Sequence, residues 1–270
     1  MKNINWSELG FGYFKTDYNV RCEYKDGKWG ELYATEDVNM NIHMASTCLH
    51  YGQEVFEGLK AFRGADGKVR LFRVEENAKR MINSGEYLKM AVPSVELFTK
   101  ACIEAVKLNA DYIPPYGSGA SLYLRPMLIG VGPQVGVKPS ADYLFAVFVT
   151  PVGPYYKDGF NCIKVIIDYD HDRAAPKGTG HVKVGGNYAA SLDSGEIAHQ
   201  KGFASVIFLD PATKQYIDEC SAANFFGIRD GKYITPDSHS VLPSITNKSL
   251  RQIADDLGLK VEQRKVGVED

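Results

Sequence analysis

The sequence predicts an α+β protein of two domains, and three observations carry that prediction. Through the first 150 residues, strand-like runs of alternating apolar residues are mixed with two helical periods. A stretch dense in proline and glycine, Thr150-Pro-Val-Gly-Pro154 and on to Gly159, then interrupts both periodicities. Beyond it strands outnumber helices and gather around a glycine-rich loop. The expected division is an N-terminal α+β domain over 1–150, a linker over 151–160 and a β-rich C-terminal domain over 161–270.

Taken in order, Lys25-Asp-Gly-Lys28 suits a two-residue hairpin loop, and a second hairpin joins strands at 59–63 and 69–73 across Gly64-Ala-Asp-Gly67. A helix is expected over 74–89. Another begins after Ser94 as its N-cap, with Val95, Phe98, Ala101, Cys102, Ala105 and Val106 on one face. Strands follow at 120–129 and 143–149. In the second half, strands are expected at 162–167, 205–209, 216–219, 224–228 and 233–235, with Arg229-Asp-Gly-Lys232 as the last hairpin turn. A helix is expected at 187–201. A final helix at 244–257 closes at Gly258 and buries Leu250, Ile253, Ala254 and Leu257. Residues 259–266 alternate like a strand, and Val268-Glu-Asp270 reads as the acidic first turn of a further helix.

Composition narrows the partners. Lys plus Arg number 31 against 33 Asp plus Glu, a formal charge of -2, and no basic run exists to follow a phosphate backbone or an anionic membrane. The N-terminus has no apolar stretch of signal-peptide length, and no segment approaches the roughly 20 apolar residues of a membrane span, so a soluble cytoplasmic protein is expected. The five cysteines are scattered and signal neither a disulfide framework nor a zinc ribbon. Asp168, Asp170, His171 and Asp172 cluster just past an apolar run, where a solvated strand end is the simpler reading, and no metal is expected.

The residue that asks for an explanation is Lys183, in His181-Val-Lys-Val-Gly-Gly-Asn-Tyr188. It is either a solvated loop lysine or an amine held in a partly apolar site. Desolvation in such a site disfavours the charged form and makes the amine a nucleophile able to form a Schiff base. Lys177 is the rival, but its place directly after Pro176 suits an exposed turn. The loop's glycines do not match either nucleotide-binding spacing. Glu219, in Ile217-Asp-Glu-Cys-Ser-Ala-Ala-Asn-Phe225, is a strand-end charge or, if it points inward, a carboxylate in need of a cation.

Together, Lys183-Val-Gly-Gly-Asn-Tyr188, Asp218-Glu-Cys-Ser-Ala-Ala-Asn-Phe-Phe226 and Leu242-Pro-Ser-Ile-Thr246 resemble the branched-chain amino acid aminotransferases of the fold type IV pyridoxal phosphate enzymes. The stretches Tyr51-Gly-Gln-Glu-Val-Phe-Glu-Gly58, Arg70-Leu-Phe-Arg73 with Arg80-Met81, and Ser121-Leu-Tyr-Leu-Arg-Pro126 agree in order, so the likeness covers nearly the whole chain.

The resemblance implies a cofactor, pyridoxal 5'-phosphate, at the interface of two domains and a homodimer. The implied reaction exchanges the amino group between leucine, isoleucine or valine and 2-oxoglutarate. It casts Lys183 as the lysine that carries the cofactor as an aldimine and shuttles the proton. Glu219 corresponds to the carboxylate at the pyridine nitrogen, and Tyr188 to the donor at the ring hydroxyl. Arg80, Ile245 and Thr246 correspond to the phosphate ligands. Tyr51, Phe56, Tyr123 and Arg125 correspond to substrate-pocket positions, Arg125 for the carboxylate of glutamate or 2-oxoglutarate. Ser244 and Asn247 depart from the usual glycine and arginine, Ala222 stands where some members carry a hydroxyl, and no Gly-Thr-Ala turn follows. The last departure keeps an inactive scaffold or dimerising module as an alternative, beside a D-amino-acid aminotransferase or aminodeoxychorismate lyase. It also implies exposed apolar strand surface in the second domain.

Overall fold

The computed structural model describes residues 2–154 and 161–270, which fall into two compact units, Met1–Asn161 and Cys162–Asp270. Most of the expected linker, 155–160, lies outside the described residues.

The first unit contains β1 (Asn19–Lys25), β2 (Lys28–Trp29), β3 (Tyr33–Thr35), α1 (Thr47–Tyr51), β4 (Glu54–Phe56), β5 (Leu59–Arg63), β6 (Val69–Leu71), α2 (Val74–Tyr87), α3 (Val95–Leu108), β7 (Ser121–Gly130) and β8 (Tyr143–Val152). Among the described residues its strands form one antiparallel sheet in the order β2-β1-β8-β7-β5-β6, with β3 on β1 and β4 on β7. The β1–β2 turn places Asp26 and Gly27 at φ 51° and 78°, the pair of left-handed residues that a two-residue hairpin needs. Ser94 caps α3 by accepting a hydrogen bond from the Leu97 amide.

Alternation along β7 decides what the sheet presents. Leu122, Leu124 and Leu128 are buried, while Tyr123, Arg125 and Met127 point to the opposite face. The apolar side of α3 is buried with Phe98, which stacks on Phe145 of β8 at 5.8 Å between centroids. Of the residues expected on that side, only Val95 is not fully buried.

The linker reading fails at its start, because β8 continues through Pro151 and Val152, paired with Leu122 and Ser121. Val149, two residues earlier on the same edge, turns its carbonyl away from β7 to accept the Thr16 hydroxyl. Pro151 therefore directs its missing N–H to the side where β1 has already ended.

The second unit contains β9 (Val165–Asp168), α4 (Gly185–Ala190), α5 (Leu192–Gln200), β10 (Ser205–Leu209), β11 (Ile217–Cys220), β12 (Gly227–Arg229), β13 (Lys232–Pro236), α6 (Ile245–Asp256) and β14 (Lys260–Arg264). One sheet runs β11-β10-β9, with β9 and β10 parallel; the other runs β12-β13-β14, with β13 and β14 parallel. Ile207, Leu209, Ile217, Ile234 and Val266 form a common core from both sheets. Ala198 of α5 packs with Val206 and Phe208.

Five expectations here are corrected. The strand at 162–167 starts only at Val165, and that at 224–228 shrinks to β12 because Asn224 makes an isolated bridge to Glu219 and commits its side chain elsewhere. The helix at 187–201 begins earlier and is interrupted at Ser191, whose hydroxyl bonds the Tyr188 carbonyl. On α6 only Ala254 is fully buried, and Ile253 and Leu257 are 51% and 74% exposed. Residues 267–270 make a turn, with the Asp270 carboxylate accepting from the Gly267 amide and Arg264, so the acidic end is not helical.

Candidate active site

In the second unit the glycine-rich loop is drawn tight from both sides. Asn187, buried at the start of α4, donates to the carbonyls of Thr179 and Val182 at 2.7 and 2.9 Å and accepts the Thr179 hydroxyl. Gly180 lies against the backbone of Ser240; a Cβ there would stand 2.7 Å from the Ser240 Cα. Val182 and Val184 are both buried, 1% and 5% exposed, so Lys183 leaves the loop between two apolar anchors. Its Nζ donates to Tyr188 Oη at 2.8 Å and lies 5.2 Å from the centre of that ring. Lys177 is exposed, as its position after proline suggests.

Glu219 points inward from β11 and is 5% exposed at its side chain. Burial pushes its carboxyl up to about 7, against the opposing pull of Arg173, the Leu242 amide and Asn224. Oε1 lies 2.5 Å from Arg173 Nη2 in an ion pair and accepts the Leu242 N–H at 3.1 Å, and Oε2 accepts from Asn224 Nδ2 at 2.9 Å. A carboxylate has about four lone-pair sites. One on Oε2 thus has no donor among the described residues.

Ser244 caps α6. Its hydroxyl accepts from the Asn247 amide and its carbonyl from the Lys248 amide, which leaves the N–H groups of Ile245 and Thr246 outside the helical ladder. The departure at Asn247 acquires a structural use: its side chain donates to Thr235 Oγ1 at 2.9 Å and Asn224 Oδ1 at 3.3 Å, and accepts from Tyr233 Oη. Asn224 therefore links the end of α6 to Glu219.

In the first unit, Arg80 of α2 is held by Glu57, which is fully buried. The Arg80 side chain is itself only 13% exposed, so it is not a solvated surface charge. Phe56, Tyr123 and Arg125 gather on the sheet face opposite the helices. The Arg125 guanidinium lies 4.8 Å from the Phe56 ring centre and 5.4 Å from that of Tyr123, and its Nε donates to Tyr123 Oη at 3.2 Å. Phe11 packs edge-on against Tyr123. Tyr51 is not part of this group; it is exposed, and its hydroxyl donates to the Val135 carbonyl.

Two residues at these sites, Arg173 and Glu57, are not evident from the sequence. A signal existed for Arg173, because an inward Glu219 requires a cation and Arg173 is the arginine nearest the Lys183 loop. Glu57 lies within the quoted Tyr51 stretch but announces no partner. The Asp168 cluster contains an ion pair to His171 at 3.0 Å. Among the described residues, no group of three or more His, Cys, Asp or Glu side chains is arranged to hold a metal.

Comparison with known proteins adds the relatives of this arrangement. A profile of the amino-transferase class IV family matches residues 54–270. The branched-chain-amino-acid aminotransferase of Haemophilus influenzae is 52% identical over 276 residues, spanning 100% of this chain and 80% of that protein. The Helicobacter pylori enzyme of the same name is 50% identical, with the same coverage. Among solved structures, the Escherichia coli branched-chain amino acid aminotransferase superposes with a TM-score of 0.77 at 28% identity, covering 94% of this chain and 79% of that one. The T.th. branched-chain amino acid aminotransferase complexed with N-(5'-phosphopyridoxyl)-L-glutamate gives 0.72 at 28% identity, covering 92% and 77%.

Proposed function

The chain belongs to the amino-transferase class IV family, and from that premise we propose that it is a pyridoxal 5'-phosphate-dependent aminotransferase. It moves the amino group between leucine, isoleucine or valine and 2-oxoglutarate. The observation that carries this reading is the assembly, within one unit, of the Lys183 amine on the Tyr188 phenol, the buried Glu219 carboxylate and the two free amides of α6.

The residues fit the cofactor. Glu219, with one lone pair to spare and a charge that burial opposes, suits a protonated pyridine nitrogen. The Ile245 and Thr246 amides at the positive end of a helix suit a phosphate, and Arg80 is assigned to the same group. Tyr188 would meet the ring hydroxyl, and Lys183 would hold the aldehyde carbon. When bound, the cofactor supplies an aldehyde to receive the amino group and a ring that takes up the electron pair left at the substrate Cα.

The chain's own residues supply the rest. Lys183 Nζ carries the proton to and from the substrate Cα, and Tyr188 Oη, 2.8 Å away, fixes where that nitrogen stands. Val182 and Val184 keep the base of the lysine apolar. Phe56 and Tyr123 are assigned to the substrate side chain and Arg125 to the second carboxylate of the dicarboxylic partner. Family membership supports a homodimer; a cytoplasmic location is part of the proposal, and among the described residues no helix is long and apolar enough to cross a membrane.

Steady-state transamination of leucine with 2-oxoglutarate tests the reading. Parallel double-reciprocal lines, lost with Lys183→Ala, are expected. Converging lines, or a preference for D-alanine or aminodeoxychorismate over leucine, would overturn it.

A further inference from the structure

Arg173 is 10% exposed at its side chain, and three acceptors surround its Nη2, which donates to the Gly180 carbonyl at 2.8 Å and to the Ser240 carbonyl and forms an ion pair with Glu219 Oε1 at 2.5 Å. Those acceptors belong to three separate segments: β11, the loop that leads into Lys183, and the turn that leads into α6. Gly180 permits the last two to touch, since any side chain there would enter the Ser240 backbone. One guanidinium thus joins the carboxylate, the amine-bearing loop and the approach to the helix N-terminus.

We propose that Arg173 is a positioning residue of the transamination site, which keeps Glu219 ionised and turns the unoccupied lone pair of Oε2 toward the cofactor's ring nitrogen. The inference rests on the function proposed above. Its physical basis is that a buried carboxylate needs compensation. With Oε1 held in the ion pair with Arg173 and accepting the Leu242 amide, and Oε2 half filled by Asn224, Oε2 keeps an acceptor direction for a ring N–H. Arg173 also competes with the ring for the same negative charge. Because it touches Glu219 directly, it lowers the proton affinity of the carboxylate more than that of the ring nitrogen. Removing it should move a proton from the ring nitrogen to Glu219 Oε2, leaving a neutral ring that is a poorer electron sink.

The test uses the holoenzyme with ring-¹⁵N-labelled pyridoxal phosphate, read by ¹⁵N NMR, with the Glu219 carboxyl followed by infrared difference spectroscopy against Glu219→Gln. The wild type is expected to show a pyridinium resonance and no carboxylic acid band. Arg173→Gln is expected to shift the resonance toward neutral pyridine and to add the acid band. Arg173→Lys, which keeps the charge but loses the fork, should fall between them and carries the test if Arg173→Gln fails to fold. Unchanged ring and carboxyl signals in the folded variants, with cofactor still attached to Lys183, would overturn the role of Arg173. Failure of the wild type itself to attach cofactor at Lys183 would instead strike the proposed function.

Discussion

Glu57 grips Arg80 with both carboxylate oxygens: Oε1 accepts Nε and Oε2 accepts Nη2, each at 2.8 Å. Asn77 and the Gly58 amide donate to Oε2 as well, so a carboxylate with no solvent exposure is satisfied entirely by protein groups. Arg80 is thereby fixed in orientation, with part of its charge offset before any anion arrives. Glu57→Ala should destabilise the protein by about 3–5 kcal/mol, because it removes the buried carboxylate that pairs with Arg80 and accepts from Asn77 and the Gly58 amide. Urea unfolding checks this, and the same variant should weaken cofactor retention on dialysis.

Lys183→Ala should bind pyridoxal phosphate without covalent attachment and lose transamination by at least about 100-fold, the lower end of what a positioned acid-base group contributes. Borohydride reduction followed by peptide mass spectrometry gives the first readout and a coupled assay with leucine the second. Full activity in this variant would remove Lys183 from the chemistry.

Stability without cofactor should depend on pH through Glu219. Its carboxyl rises from an ordinary 4.5 to about 7 on burial, so the folded state binds the proton more tightly than the unfolded chain does. That contribution is fully present below about 4.5 and is lost as pH rises through about 7. The urea midpoint of the apoprotein should lose this contribution between those values, and Glu219→Gln should remove that part of the pH dependence. An identical profile in both proteins would refute it.

Gly180→Ala should cost about 1–3 kcal/mol, the usual penalty for forcing atoms into a closed contact. The new methyl meets backbone, which cannot rotate away. Because the shift occurs beside Arg173 and ahead of Lys183, activity should fall at temperatures well below the unfolding midpoint.

Arg125→Leu should separate the two substrates. With its charge gone from the cluster of Phe56 and Tyr123, KM for 2-oxoglutarate should rise about tenfold or more, while that for leucine changes little. Equal changes for both would remove Arg125 from side-chain selection.

The parts of this protein that the sequence makes legible are those governed by neighbours along the chain. The hairpin at Asp26-Gly27, the Ser94 cap and the apolar setting of Lys183 all follow from residues within a few positions of one another. What is hidden depends on distant segments. Arg173 carries no mark of its three acceptors, and Glu57 none of Arg80, since each pair is made by the sheet and loops that bring the residues together. Pro151 was misleading for the same reason: whether proline ends a strand depends on whether its N–H side has a partner. The stripe on α6 identifies an apolar face, but periodicity does not say how much of it is covered.

The parallel pairing of β9 with β10 has a consequence for the order in which the enzyme becomes competent. Arg173, Lys183 and Tyr188 all lie in the connection between those two adjacent strands. A parallel crossover closes only when its second strand is available, and such long-range closure is slow compared with helix or hairpin formation. The setting proposed for Lys183 is therefore complete only once 205–208 has docked beside 165–168, after the loop that carries the lysine has already been made.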